Sequence, residues 1–394
     1  MKPKRIISLL LALCLLLALA ACGTAAPKPT DGPAPAPTQA PAPTAAPQPT
    51  QAPTEAPAPT EEPEVTDAPP VPGEALTVEY TDDTGRTLAI PAEITRLAVT
   101  GPMSQIVLFA LAPDKLVATA NEWDPGAEAY FAPEYFNLPN LGQLYGGKGE
   151  LNLEELLAAA PEIVLDIGEP KKSIGEDLAA LTEQTGIPFI HIDAFTATMP
   201  EAYRKLGTLL GLEDRAEVLA QYCEEIMALA EDTMAKVGEN RVKMLYLLGD
   251  EGLNVIAEGS YHSEIIDLVA DNAAVLEDPS SKGTGNETDM EQLLLWDPDY
   301  IVFSYDSVGD KVGEDPLWQQ LSAVKNGNYA KAPYGPYNWM GFPASVQRYL
   351  GILWLLKTLY PDYVDYDLFT EVNRFYELFF HCTLTEEQYR AILG

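Results

Sequence analysis

Apolar and polar residues alternate on both sides of Asp82-Asp83-Thr84-Gly85, in "LTVEYTDDTGRTLAIP". Period-two patterning around a Gly-containing turn predicts a β-hairpin. Short apolar runs follow in "ITRLAVTG", "KLVATA", "EIVLDIG" and "PFIHIDA", and each predicts a buried strand. Between them "PMSQIVLFALA", "LNLEELLAAA" and "IGEDLAALTEQTG" carry apolar residues at helical spacing. Pro161 stops the second of these helices and Gly186 the third. From Leu212 to Val237 there is no Gly or Pro, and Leu219, Tyr222, Cys223, Ile226 and Ala230 recur at three- and four-residue steps. That is one face of a helix close to 40 Å long at about 1.5 Å per residue.

Past this helix the alternation restarts. "RVKMLYLL", "LNVIA" and "YIVFS" predict strands; "SEIIDLVAD", "DMEQLLLWD", "DPLWQQLSAV" and "ASVQRYLGILWLLKTLY" predict helices. Strands alternating with amphipathic helices on either side of one long helix give an α/β fold. The expected arrangement is two Rossmann-like lobes with mostly parallel sheets, residues 75–211 and 239–394, joined by a helix over 212–238. C-terminal helices are placed with the second lobe.

The first 74 residues change the picture of address. "MKPKR" followed by "IISLLLALCLLLALA" reads as a signal peptide over residues 1–21, too short for a spanning helix. It ends in "LAAC", similar to a bacterial lipobox, which implies cleavage before Cys22 and lipidation of that thiol. Residues 22–74 are almost only Pro, Ala, Thr, Gln and Glu, a composition that cannot bury a core and reads as a disordered, polyproline-like tether. Together these predict an extracytoplasmic, lipid-anchored domain, on the cell surface if the source has a single membrane.

A net charge of −35 argues against nucleic acid as a partner. No G-x-S-x-G, H-E-x-x-H or Walker pattern is present, so no enzyme and no cofactor are expected. A surface hydrolase stays as an alternative, because among 59 Asp and Glu no acid–base pair can be singled out. A stalked adhesin fits two α/β lobes poorly. Cys223 and Cys382 leave a disulfide open without making a disulfide scaffold. Of the three His, His191 sits within a strand and His381 is placed in the last helix, which leaves His262 as the one near a loop. Too few His and carboxylates converge for a bare metal site.

"LEELLAAAPEIVL" and "DMEQLLLWDPDYIV" both place a Glu seven residues before a Pro: Glu154 with Pro161, Glu291 with Pro298. With "TDDTGRTLAIP", the lipobox, the long helix and "PASVQRYLGILWLLKTLYP", the chain resembles a known family from Ala75 to about Pro361. It is the solute-binding proteins of ABC importers that take up ferric siderophores, haem and cobalamin. The resemblance implies a rigid connecting helix, a ligand cleft between the lobes and little closure. It also implies that Glu154 and Glu291 dock onto arginines of two permease subunits, and that the protein is a monomer. A carboxylate at a helix start is favoured by the helix dipole in any case. Capping of each helix is the plainer role.

In open α/β sheets, ligands bind beyond the carboxyl ends of the strands. The candidates there are Met103, Ser104, Trp123, Tyr145, Lys171, Tyr261, His262, Tyr305, Trp339 and Arg348, with Lys172 and Tyr337 beside them. Flat rings suit a large conjugated or chelated ligand. The expected solute is a ferric siderophore first, a corrinoid or haem second, and an oxoanion or metal–amino-acid chelate third. The acidic balance and scarce Arg near these loops speak against a strongly anionic tri-catecholate.

Overall fold

The computed structural model describes residues 76–146 and 150–394. The signal peptide, Cys22 and the tether lie outside the described residues, as does Lys148 of the "GQLYGGK" loop.

The expected hairpin is β1 (Thr77–Thr81) paired antiparallel with β2 (Thr87–Pro91). Its turn is organised by Asp82, whose carboxylate accepts from the backbone N–H and hydroxyl of Thr84 and from Arg86. Burial raises the Asp82 pKa, but these hydrogen bonds outweigh it and hold the carboxyl below its usual range.

The first lobe is a parallel sheet of β3 (Leu97–Val99), β4 (Ile163–Gly168) and β5 (Phe189–Asp193), in that order. The strand expected at Lys115–Ala120 is reduced to single bridges at Leu116 and Thr119. The side-chain oxygen of Gln105 takes the N–H groups of Ala120 and Asn121, which diverts this backbone from a ladder.

The second lobe holds β6 (Lys243–Leu248), β7 (Asn254–Val255), β8 (Asp271–Asn272), β9 (Asn286–Glu287), β10 (Tyr300–Phe303) and β11 (Tyr329–Lys331). The order is β11-β10-β6-β7-β9, with β8 also on β6. β8, β10 and β11 run in the direction of β6; β7 is reversed, antiparallel to both β6 and β9. The segment expected as one helix from Asp315 breaks at Leu321 into a 3-10 turn, Trp318–Gln320, and a short helix, Ser322–Lys325. Trp318 and Leu321 are both buried, Trp318 edge-on to Phe303, and the extended backbone at Leu321 lets both reach the core.

The long helix runs Glu213–Val237 and buries the face expected of it: Leu219, Tyr222, Cys223, Ile226 and Ala230. Helix Met199–Leu210 packs tightly beside its start. Gly207 permits this crossing, because a Cβ there would come within 2.5 Å of the Ala216 Cβ. One apolar core continues from the first lobe, through this helix and helix Arg348–Leu359, into the second. Burial of that continuous apolar area, rather than the chain link alone, ties the lobes together.

The last helices, Leu368–Phe379 and Glu386–Leu393, touch the second lobe at Gly335 and Tyr334 and also reach back to the first. Phe379 packs on Tyr203, and Gln388 donates to the carbonyl of Ala129 at 3.2 Å. His381 stands in the turn between these helices, with φ +55, instead of within a helix; its Nε2 bonds the Phe109 carbonyl at 2.9 Å. Cys223 and Cys382 are free thiols. Burial pushes the Cys382 thiol up to about 12 and Cys223 higher still.

Candidate functional site

The carboxyl ends of β3, β4, β6 and β10 open onto a cleft with two adjoining compartments, of about 610 and 320 Å³. Pro102, Gly283, Phe342 and Pro343 line both. Each compartment draws residues from both lobes, and their sizes fall in the range of small-molecule sites.

Tyr305 and Tyr334 stack across one wall of the larger compartment, ring centroids 3.8 Å apart and 22° from parallel. The phenol of Tyr334 donates to Asp124, which reaches over from the first lobe. Burial and the adjacent carboxylate push the Tyr334 phenol far above its usual value. Glu122 and Asp306 join Asp124 in the lining, and Asp306 accepts from the Ser304 hydroxyl at 2.7 Å. Asn338 forms part of the floor, fixed by the hydrogen bond it donates to the Tyr246 hydroxyl at 2.9 Å. Among the described lining residues of this compartment there is no Lys or Arg.

The smaller compartment gathers six of the expected residues: Met103, Ser104, Tyr145, Lys171, Tyr261 and His262. Ser104 is pinned, its hydroxyl oxygen accepting from the Ile167 N–H at 2.8 Å. Tyr261 crosses the lobe boundary, its hydroxyl 3.1 Å from the Met103 sulfur. Tyr145 donates to Asp177 at 2.5 Å, and burial with that carboxylate raises its pKa strongly. Lys171 pairs with Glu169 at 2.5 Å. Asp166 completes the floor.

His262 lies parallel to the Phe342 ring, 12° off and 5.2 Å between centroids. Burial first, then the charges of Arg348 and Lys171, lowers its pKa to about 4, so the ring is neutral at ordinary pH. Its Nδ1 is buried and bonds nothing among the described residues.

Three expected contacts are corrected. Arg348 does not face the cleft: it is 2% exposed and stands behind Tyr261. Its guanidinium pairs with Glu264 at 2.5 Å and donates to the Tyr261 carbonyl at 2.7 Å, so it props the wall that Tyr261 forms. Trp123 sits in the core between Phe109 and Phe131, its ring N–H donating to the Tyr135 carbonyl at 2.9 Å. Trp339 is fully buried, and its backbone carbonyl packs so close to Gly351 that a Cβ there would lie 2.3 Å away. Tyr305 and Tyr337 do line the larger compartment. Asp124, Tyr334, Asn338 and Phe342 line the cleft without having been singled out. Asp124 directly follows Trp123, Tyr334 and Asn338 flank Tyr337 within a few residues, and Phe342 lies three residues beyond Trp339.

Glu154 and Glu291 are both exposed in the first turn of their helices, Leu153–Ala159 and Met290–Trp296. The match goes deeper than spacing. Asn152 and Asp289 cap the two helices, Leu156 and Leu293 are fully buried, and Ala160 and Asp297 end them in the left-handed conformation just before Pro161 and Pro298. No group of three or more His, Cys, Asp or Glu suited to a metal occurs among the described residues. Nor is any described helix long and apolar enough to cross a membrane.

Comparison with known proteins agrees with this architecture. A molybdate-binding protein, MolA of Haemophilus influenzae, is 26% identical over 76% of this chain and 90% of its own length. The Fe(3+)-citrate-binding protein YfmC of Bacillus subtilis is 28% identical over 46% of this chain and 56% of its own. Among solved structures, an ABC transporter solute-binding protein from Sulfurospirillum deleyianum superposes with a TM-score of 0.73 at 27% identity, covering 80% of this chain and 98% of that one. A periplasmic solute-binding protein from Veillonella parvula gives 0.66 at 26%, covering 81% and 97%. Residues 97–333, more than half of the chain, match the periplasmic binding protein family. The chain belongs to that family, as a solute-binding protein of the ABC-importer class.

Proposed function

We propose that this protein captures a neutral or cationic metal chelate, a ferric siderophore of hydroxamate type before a corrinoid, and hands it to a membrane permease; the two propionates of haem rank it below both. The observation that carries this reading is the charge of the cleft. Glu122, Asp124 and Asp306 face the larger compartment; in the smaller, Glu169 is paired with Lys171 and Asp166 with His191. The only described cation in either lining is Lys171, already paired with Glu169. Low-dielectric walls of one charge sign focus their field on whatever enters and raise the local concentration of the opposite sign. The stacked Tyr305–Tyr334 pair and the Phe342–His262 pair supply flat apolar faces for a bulky chelate. The unpartnered Nδ1 of His262 supplies one polar anchor.

An oxoanion receptor is the second reading, favoured by the likeness to MolA. Against it stands the absence of an unpaired cation among the described lining residues. Delivery runs through Glu154 and Glu291, which meet matched basic sites on two permease subunits. In this reading the expected signal peptide and lipidated Cys22 hold the protein outside the membrane on a lipid anchor. A thermal-shift panel of ferric hydroxamates, ferric catecholates, cobalamin, haemin, ferric citrate and molybdate tests the reading. Stabilisation by a hydroxamate or a corrinoid supports it. Stabilisation confined to molybdate or citrate overturns it.

A further inference from the structure

His191 is fully buried, yet both of its ring nitrogens meet carboxylates: Nδ1 lies 2.7 Å from Asp166 and Nε2 2.8 Å from Asp193. An ionised carboxylate only accepts, and a neutral imidazole has only one N–H to give. This geometry therefore holds one proton more than a neutral ring between two carboxylates. Asp166 is also the group that faces the smaller compartment, where its other oxygen accepts from the Thr100 hydroxyl.

We propose that His191 is a charge-setting, specificity-determining residue behind the cleft: as an imidazolium it cancels the charge that Asp166 turns towards the solute. The specificity part rests on the reading of the smaller compartment as part of the solute site. With the proton in place, the Asp166–His191–Asp193 unit carries one negative charge; without it, two.

The surroundings keep that proton local. On the hairpin, Asp82 accepts from the His191 backbone N–H but is itself paired with Arg86. Asp83 accepts from the Asp193 N–H and is paired with Lys205 of helix Met199–Leu210. Tyr80 of the hairpin stays a neutral phenol, pushed up to about 12 by burial and the charges of Asp83 and Asp82. Across the compartment, Asp177 of helix Ile174–Thr185 is engaged by Tyr145 and Ser173. Asp166 and Asp193 are thus the carboxylates left to His191. Burial alone would lower the His191 pKa, but the hydrogen bonds and charges of Asp166 and then Asp193 raise it.

The test is NMR on the full chain, reading the ring nitrogens of its three His and the carboxyl carbon of Asp166 against pH. His191 is expected to show two protonated ring nitrogens at neutral pH. The Asp166 signal is expected to step at the pH where His191 loses its proton, and to lose that step in His191→Gln. Asp193 is partly exposed, so Asp193→Asn is the milder variant; it is expected to move the step down by about 1 pH unit. A neutral His191 at pH 7, or an Asp166 signal that ignores His191, overturns the proposal. With the step present, binding of a cationic ferric tris-hydroxamate should tighten as pH rises through it, and that dependence should vanish in His191→Gln. Binding unaffected by the step overturns the specificity role. No binding of any chelate, with the step intact, counts against the solute reading and leaves the proton assignment standing.

Discussion

Tyr334 of the second lobe donates its phenolic hydrogen bond to Asp124 of the first, closing the larger compartment with a polar strap. The strap is held at both ends. Tyr334 stacks on Tyr305, and Asp124 also accepts from the N–H of Gly126 at 3.0 Å in the turn it caps. The strap ties the two lobes to each other at the cleft. This fits a core that already runs through both of them.

Replacing Tyr334 with Phe keeps the stack and removes the strap. A hydrogen bond to a charged acceptor contributes about 1.5–3 kcal/mol, and partial exposure of Asp124 places this one near or below the lower end. Urea unfolding should show a loss of about 1 kcal/mol with an unchanged slope. An unaltered midpoint would mean that the bond contributes nothing to lobe registration.

Arg348→Met should be more damaging. Arg348 is buried, and its partner Glu264 also accepts from both the backbone N–H and the hydroxyl of Thr196. Removing the cation leaves a partly buried carboxylate uncompensated and Tyr261 unsupported. Breaking a fully buried pair costs about 3–5 kcal/mol; the residual exposure of Glu264 reduces this to about 2–3. Arg348 would return to the list of direct solute contacts if the variant kept full stability and lost only binding.

Acid should weaken the fold through His262. Its folded pKa of about 4 lies below the unfolded value of about 6.5. The unfolded chain therefore binds more protons between these values, and stability present above pH 6.5 is lost as pH falls towards 4. His191 runs the other way: with a raised folded pKa, its contribution is full below about pH 6.5 and fades as pH rises through that folded value. His262→Phe preserves the stack on Phe342 and should flatten the acid limb between pH 6.5 and 4.5. Identical acid limbs in variant and parent would rule out His262 as the cause.

Charge reversal at Glu154 and Glu291 together should abolish uptake and spare solute binding, because both lie exposed on short helices away from the cleft lining. Wild-type uptake by the double variant would remove the docking assignment.

Where local pattern decides structure, the sequence was readable. The Asp82–Gly85 hairpin turn, the buried face of Glu213–Val237 and the twinned helices of Glu154 and Glu291 are all set by neighbours within a few residues. The cleft was readable only as a set of loops. In "YGPYNWMG" Tyr334 faces the cavity and Trp339 the core, five residues apart, with no period to tell them apart. Gly351, from a helix further along the chain, makes the room that draws Trp339 inward. Arg348 reads from sequence as a free anion fork; Glu264, far away in the chain, claims it. Trp123 was misplaced for the same reason, since Phe109 and Phe131 form its nest.

The cleft's negative charge carries the central claim, and calorimetric titration tests it most directly, with a cationic ferric tris-hydroxamate in one run and molybdate in the other. The account predicts saturable binding of the hydroxamate, weakened by Asp124→Asn and Asp306→Asn, and none of molybdate. Tight molybdate binding with an inert hydroxamate would contradict it.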